Sequence, residues 1–133
     1  MSVYNGEKYL SEQIDSILAQ SESDWQLFIN DDCSSDGSYE IALKYAKEHP
    51  ERIIVSRNGS PSGSACANFM GMLGRTDAEY AMFCDQDDFW LPDKVSQTMA
   101  AMRRAEAGRL IHNDRIVFQR VFLRPAKSHA IFT

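Results

Sequence analysis

The segment Cys84-Asp85-Gln86-Asp87-Asp88-Phe89-Trp90 places three carboxylates within four consecutive residues. It follows the apolar run Tyr80–Cys84, which has the length of a buried strand, and it precedes Leu91-Pro92-Asp93, a typical helix start. In open α/β sheets, ligands bind in the crevice beyond the carboxyl ends of the strands. Three neighbouring carboxylates repel one another, and a divalent cation relieves that repulsion. This stretch, the acid loop, therefore predicts a Mg²⁺ or Mn²⁺ site that holds a phosphorylated ligand.

Composition places the chain among ordinary globular proteins. Its 133 residues suffice for one domain with a core but not for two, and 44% hydrophobic and 25% charged residues are typical. The net charge of -5 argues against nucleic acid as a partner. Three widely spaced cysteines argue against disulfides and structural zinc, and favour a cytoplasmic location, including the inner face of the membrane. No run approaches the roughly 18 apolar residues of a membrane span.

The apolar patterns of the chain alternate between strand and helix. Helical periodicity predicts helices at Glu7–Gln20, Ser38–His49, Ala65–Arg75 and Asp93–Ala107. Apolar runs predict a strand that ends near Tyr4, and strands at Trp25–Ile29, Arg52–Ser56, Glu79–Cys84, Arg109–His112 and Ile116–Phe122. This alternation is typical of a mostly parallel α/β sheet flanked by helices. In the first helix, the periodicity places Ser16 on the solvent side.

Three polar segments directly follow predicted strands, and they are Ser2–Gly6, Asp31–Gly37 and Asp85–Asp88. The carboxyl ends of parallel strands meet at one edge of a sheet, so we expect these segments to converge in one pocket. The opening strand is shorter than strands usually are, and we therefore expect further apolar residues before Met1.

Four segments, taken in order, resemble the N-terminal half of a family 2 glycosyltransferase with the GT-A fold. They are Ser2–Gly6 with the helix end Ser16–Gln20, the loop Asn30–Ser38 (Asp-Asp-Gly-Ser-Thr-Asp-Gly-Thr in the family), Gly63–Phe69 with Asn68, and Asp85–Lys94 with its Asp-x-Asp motif. The form Asp-Gln-Asp-Asp-Phe-Trp is similar to bacterial rhamnosyltransferase-like members. The resemblance covers residues 1–114 of a single domain, 1–133, and leaves 115–133 as a divergent tail.

The resemblance implies a truncated, Rossmann-like GT-A domain that binds a UDP- or dTDP-linked sugar. Ser2 and Tyr4 would line the base pocket, Asp32 would hydrogen-bond the base, and Asp85 would approach the ribose. Asp87, with Asp85, would hold Mg²⁺ or Mn²⁺ against the diphosphate. The full enzyme would transfer a hexose, with inversion, to a hydroxyl of a glycan or lipid-linked acceptor in cell-surface polysaccharide biosynthesis.

The resemblance also leaves a second function open. The family's general base normally lies well downstream of the Asp-x-Asp motif, beyond Thr133, so no catalytic residue is identified. The alternative is a non-catalytic or vestigial nucleotide-binding fragment that lacks the acceptor half, and an uncovered sheet edge would then favour association of copies. Another phosphoryl chemistry is disfavoured, because no Gly-x-Gly-x-x-Gly or Walker A loop follows the first strand.

Several polar and aromatic residues have structural interpretations instead. Asp31 is predicted to form a turn, Asp36 to cap a helix, and Asp88 to support the helix entry rather than bind the metal. Phe89 and Trp90 are both predicted to be core residues rather than a platform for a sugar.

Overall fold

The structure, a computed structural model, describes residues 1–76, 78 and 80–104, together with the backbone of 111–113, 116–119 and 129–131. Within these residues the helices are α1 Leu10–Leu18, α2 Ser38–Glu48, α3 Ala65–Leu73 and α4 Lys94–Arg104. The strands are β1 Ser2–Val3, β2 Trp25–Asp31, β3 Ile53–Arg57, β4 Ala81–Met82, β5 Ile111–Asn113, β6 Ile116–Gln119 and β7 His129–Ile131. The predicted continuations of the fourth helix to Ala107 and of the last strand to Phe122 lie outside the described residues.

The described strands form one sheet that is mostly parallel. β2 pairs in parallel with β3 on one side and with β1 and β7 on the other. β7 also pairs in parallel with β4, whereas β6 runs antiparallel to both β4 and β5. A parallel sheet with an antiparallel edge is common among α/β proteins, and the predicted fold class is confirmed.

β7 is a strand that the sequence pattern does not predict. It lies opposite Trp25–Leu27 of β2, whereas β1 lies opposite Asn30–Asp31, so β1 and β7 share the space between β2 and β4. Three residues are too few to show a period, and their pairing depends on the neighbouring strands. The Met1 amino group lies in the same space and donates to the Phe28 carbonyl, and burial lowers its pKa to about 5.

Alternate side chains of β2 face two hydrophobic clusters, one on each face of the sheet. Leu27 and Ile29 pack with apolar residues of α1, α2 and α4. Phe28, between them, packs on the other face against the cluster that contains Met72 and Leu73 of α3. This is the two-residue period of a strand covered on both faces. The helices therefore bury the faces of the sheet and leave the polar strand ends at one edge.

Candidate functional site

The three polar segments predicted to converge meet at the carboxyl edge of the sheet. Ser2 and Asp85 form a parallel β-bridge that links the ends of β1 and β4. The N–H of Asn5 donates to Ser34 Oγ over 2.9 Å, and the side-chain oxygen of Asn5 accepts from the N–H of Ser35 over 2.8 Å. These contacts join the loops that follow β1, β2 and β4 into one polar surface.

The acid loop is held by hydrogen bonds between its own acids. The N–H of Asp85 donates to Asp88 Oδ2 over 3.3 Å, and the N–H of Asp88 donates to the Asp85 carbonyl over 3.4 Å. Asp88 thus supports the acid loop itself, whereas the prediction assigned it to the helix entry. Partial burial raises the pKa of Asp85, and the negative charges of Asp88 and Asp87 raise it further. Asp87 is exposed, and none of the described residues donates a hydrogen bond to its carboxylate.

The chemistry of the acid loop fits a hard divalent cation. Its side-chain donors are carboxylate oxygens, and their mutual repulsion, which raises the pKa of Asp85, would be relieved by a cation. Within the described part of the chain, no group of three or more His, Cys, Asp or Glu side chains could hold a metal by itself. Mg²⁺ commonly binds one or two carboxylates together with waters and phosphate oxygens. Asp85 and Asp87 therefore suit a metal that is shared with a phosphorylated ligand.

Side-chain hydrogen bonds from Ser16 of α1 and from Gln20, just after α1, hold the backbone that ends and follows the acid loop. Ser16 Oγ accepts from the N–H of Trp90 over 3.0 Å, and the Gln20 amide bonds the Leu91 carbonyl (2.8 Å) and the Val95 N–H (3.0 Å). The predicted solvent-side placement of Ser16 is wrong, because this side chain is 4% exposed. The polar side of a helix can face the backbone of another segment as well as water, and periodicity does not distinguish the two.

The two aromatic residues of the acid loop have opposite environments. Trp90 is 1% exposed and belongs to the larger core cluster, so its predicted core role is confirmed. Phe89 is 62% exposed, and its predicted core role is wrong. Phe89 and Trp90 lie outside the helices and strands, so no apolar period sets the direction of either side chain. Phe89 therefore adds an apolar surface beside the acids.

A cavity of about 370 Å³ opens at the ends of β1 and β2. Its lining comprises Ser2, Tyr4, Asp32, Pro61, Gly63, Ser64 and Ala65. The first three are the residues predicted to receive a nucleobase, although 28 positions separate Tyr4 from Asp32 in the sequence. The Tyr4 side chain is 58% exposed, which leaves a ring face available to a planar ligand. The volume lies in the range of small-molecule sites.

Asp32 is buried at this cavity and nevertheless favours its ionised form. Burial opposes the charge, but hydrogen bonds from Asn58 and Ser62 outweigh burial and hold the pKa of Asp32 below its usual value. The Asn58 amide (2.6 Å) and the Ser62 N–H (2.7 Å) donate to Oδ1, and the Ser62 hydroxyl donates to Oδ2 over 2.7 Å. An ionised carboxylate only accepts hydrogen bonds. Asp32 therefore suits a ligand that presents an N–H or O–H donor.

An amide network behind the cavity holds both Ser2 and Asp32. The Asn68 amide donates to Ser2 Oγ over 2.7 Å and to the Asn30 carbonyl over 3.2 Å. The Asn30 amide donates to the side-chain oxygen of Asn58 over 2.9 Å, and Asn58 in turn donates to Asp32. Asn30 and Asn58 are not predicted as functional residues from the sequence. Their positions near the ends of β2 and β3 are the signal that could have found them.

Asp31 has the structural role predicted for it. Its Oδ2 accepts from the N–H of Ser34 over 3.1 Å and from Arg57 Nε over 3.0 Å. Its side chain is 1% exposed, and its Oδ1 has no hydrogen-bond partner within the described part of the chain. Asp36 accepts from the N–H of Ser38 at the start of α2 over 3.0 Å, but the N-cap position of this helix is Gly37, so the predicted cap is displaced by one residue. Neither side chain is directed to a ligand by these contacts.

Cys33 has a left-handed backbone conformation, with φ of 64°. A residue with a Cβ is strained there by about 1–3 kcal/mol, and glycine is not. We expect Cys33→Gly to raise the free energy of unfolding by about 1 kcal/mol, measured by urea denaturation. Cys33→Ala is the control, because it removes the 3.2 Å contact of Sγ with the Asn58 carbonyl and keeps the strain. A glycine variant no more stable than the alanine variant would contradict this expectation.

The sheet and its flanking helices have the GT-A fold. The mannosyltransferase PcManGT from Pyrobaculum calidifontis, in complex with GDP-Man and Mn²⁺, superimposes with a TM-score of 0.68. It is 21% identical, and the match covers 82% of this chain and 32% of that chain. The sequence profile of glycosyl transferase family 2 matches residues 1–129, and the chain belongs to this family.

The chain matches two curated relatives over part of their length. It is 34% identical over 102 residues to the dTDP-rhamnosyl transferase RfbG of Shigella flexneri, covering 74% of this chain and 35% of RfbG. It is 37% identical over 99 residues to the putative teichuronic acid biosynthesis glycosyltransferase TuaG of Bacillus subtilis, covering 74% of this chain and 38% of TuaG. The matches thus span little more than a third of each relative. Among the described helices, none is long and apolar enough to cross a membrane.

Proposed function

We propose that this chain is the donor-binding part of a metal-dependent glycosyltransferase and that it holds a UDP- or dTDP-linked sugar. The observation that carries the proposal is that Ser2, Tyr4 and Asp32 line one cavity, while Ser2 pairs directly with Asp85 of the acid loop. A ligand with a nucleoside at one end and a diphosphate at the other would bind across both features. The similarity to a dTDP-rhamnosyl transferase supports this class of donor.

The cavity would bind the base through one stacking surface and one hydrogen-bond acceptor. Tyr4 offers an exposed ring, and Asp32 offers an ionised carboxylate. Uracil and thymine carry an N–H at ring position 3, whereas cytosine carries an acceptor nitrogen there. Asp32 would therefore favour UDP and dTDP over CDP.

The acid loop would bind the diphosphate end of the donor. Asp85 and Asp87 would hold Mg²⁺ or Mn²⁺, which would neutralise the charge that develops on the leaving diphosphate. Asp88 keeps the loop closed through its hydrogen bonds with Asp85. The bridge between Ser2 and Asp85 keeps Asp85 next to the cavity, on the side where we place the ribose.

Base selection tests this proposal. We expect UDP to bind at least about 10-fold more tightly than CDP in the presence of Mn²⁺, because CDP would place an acceptor against the Asp32 carboxylate. Asp32→Asn should reduce this ratio to near one, since the amide can donate as well as accept. Isothermal titration calorimetry measures both affinities, and Asp24→Asn, on an exposed residue just before β2, is the matched control. CDP and UDP binding equally well to the wild-type chain would contradict the proposal.

We further propose that the whole protein transfers the sugar, with inversion, to a hydroxyl of a glycan or lipid-linked acceptor. Its similarity to a teichuronic acid biosynthesis glycosyltransferase supports a role in cell-surface polysaccharide formation. In this view residues 1–133 supply donor binding, and the general base belongs to a part of the protein outside them.

The second candidate function is a module that binds a nucleotide without turnover. It is favoured because several acids at the site already form ion pairs or hydrogen bonds with other residues of the chain. Asp31 is ion-paired, Asp32 is held by Asn58 and Ser62, and Asp88 supports the acid loop. If Asp85 and Asp87 bind metal, none of these acids is free to act as a general base. Sustained donor hydrolysis or sugar transfer by residues 1–133 would contradict this second candidate.

A further inference from the structure

Gln86, between Asp85 and Asp87, makes two hydrogen bonds with the backbone of Tyr4. The N–H of Tyr4 donates to Gln86 Oε1 over 2.8 Å, and Gln86 Nε2 donates to the Tyr4 carbonyl over 3.0 Å. A carboxamide side chain carries both a donor and an acceptor, as a peptide unit does. The Gln86 side chain therefore extends the β-bridge between Ser2 and Asp85 by two further hydrogen bonds, which are made by side-chain rather than backbone atoms of this residue. We call these two hydrogen bonds the Gln86 clamp.

The clamp requires a glycine at position 6. A Cβ added to Gly6 would lie 2.5 Å from both Cδ and Oε1 of Gln86, well inside contact distance. Gly6 is not among the glycines with a positive φ, so this contact is the main obstacle to a side chain there. Any larger residue at position 6 would push the Gln86 amide away from Tyr4.

The Tyr4 side chain has little else to hold it in place. The last β1–β2 pair is Val3 with Asp31, so Tyr4 lies just beyond the sheet. Its side chain is 58% exposed, and its hydroxyl has no hydrogen-bond partner among the described residues. Within the same residues, the clamp supplies the hydrogen bonds of the Tyr4 N–H and carbonyl. The hydrogen bonds of Asn5 hold the next residue, whereas Gln86 holds the Tyr4 backbone itself and with it the position of the ring at the cavity.

We propose that Gln86 is a positioning residue that fixes Tyr4 for contact with the nucleobase and thereby sets the affinity for the nucleoside end of the donor. The inference rests on the proposed function. Gln86 acts through Tyr4 and need not contact the ligand itself. Without the clamp, Tyr4 would sample several positions, and the measured affinity would fall in proportion to the fraction of chains with Tyr4 in place.

Gln86→Met tests this role, because methionine keeps the length of the side chain and loses both hydrogen bonds. We expect the Kd for UDP in Mn²⁺ to rise about 10-fold, the loss typical of two ordinary hydrogen bonds. The Kd for inorganic pyrophosphate, which lacks a base, should change less than about 2-fold, since the effect is confined to the base end. Gln97→Met, at an exposed position of α4, is the matched control and should leave both values unchanged.

Gly6→Ala offers an independent route to the same defect. It should raise the Kd for UDP about 10-fold, and the double variant Gly6→Ala/Gln86→Met should again show about 10-fold rather than about 100-fold, because both changes break one clamp. Hydrogen exchange of the Tyr4 amide should accelerate in each variant without ligand, because its acceptor, Gln86 Oε1, is lost or displaced.

The outcomes separate this inference from the proposed function. If the wild type binds UDP and Gln86→Met binds it equally well, the inference about Gln86 is overturned and the proposed function is not. An equal loss for UDP and pyrophosphate would do the same, because it would assign Gln86 to the metal end. A wild-type chain that binds no UDP would overturn the proposed function, and the role of Gln86 with it.

Discussion

Replacing Arg57 with methionine is expected to lower the free energy of unfolding by about 3 kcal/mol. Arg57 Nε lies 3.0 Å from Asp31 Oδ2, and the Asp31 side chain is 1% exposed. Without the guanidinium, that carboxylate would be buried with the Ser34 N–H as its one described donor, because its Oδ1 is already unpartnered within the described part of the chain. An uncompensated buried charge is costly, whereas the net contribution of an intact pair can be small.

Two controls make this prediction specific to the buried charge. Arg103→Met, on the exposed side of α4, should change stability by less than about 0.5 kcal/mol in the same urea titration. The double variant Arg57→Met/Asp31→Asn removes the charge together with its partner and should recover part of the loss. If Arg57→Met alone lowers the free energy of unfolding by less than about 1 kcal/mol, water has replaced the guanidinium, which is 40% exposed.

Asp87→Asn is expected to weaken UDP binding in Mn²⁺ by roughly 100-fold or more. Mutation of residues that only hydrogen-bond to a metal ligand already lowers metal affinity by about 10–100-fold. Asp87 is proposed to bind the metal directly, so its loss should have at least that effect. Asparagine has nearly the same shape as aspartate. Because Asp87 is exposed, the free energy of unfolding should remain within about 0.5 kcal/mol of the wild type. Calorimetric titration and urea denaturation of one preparation test both statements.

Asp88→Asn is the matched control for Asp87→Asn, since both changes remove one negative charge from the acid loop. Asp88 accepts from the N–H of Asp85 and supports the loop, so we expect its variant to lose less than about 10-fold in UDP affinity. An equal loss in the two variants would mean that the net charge of the loop, rather than a ligand role of Asp87, determines binding.

The sequence predicted the parts of the fold that depend on repeating patterns. The apolar period of α1 and the apolar run of β2 predict core residues, because one face of the helix and both faces of the strand are buried. The convergence of Ser2, Asp32 and Asp85 follows from topology, since parallel strands bring their carboxyl ends to one edge. The binding roles assigned to these residues remain predictions.

The features that the sequence did not reveal depend on particular three-dimensional partners. Arg57 could have been a surface residue, and only the register of β2 with β3 brings it to Asp31. Ser62 belongs to an irregular loop, and nothing in its sequence shows that it folds back onto Asp32. The environment of Phe89 depends on the direction in which the chain leaves β4, which periodicity does not encode.

We propose that the cavity at Tyr4 and Asp32 and the acid loop together bind one nucleoside diphosphate through a metal. Titration of the wild-type chain with UDP and dTDP, in Mn²⁺ and again in EDTA, tests this claim. We predict saturable binding of one ligand per chain in Mn²⁺, at least about 10-fold weaker in EDTA because the diphosphate would then face uncompensated carboxylates. Absence of binding in both conditions, or equal affinity with and without Mn²⁺, would contradict the claim.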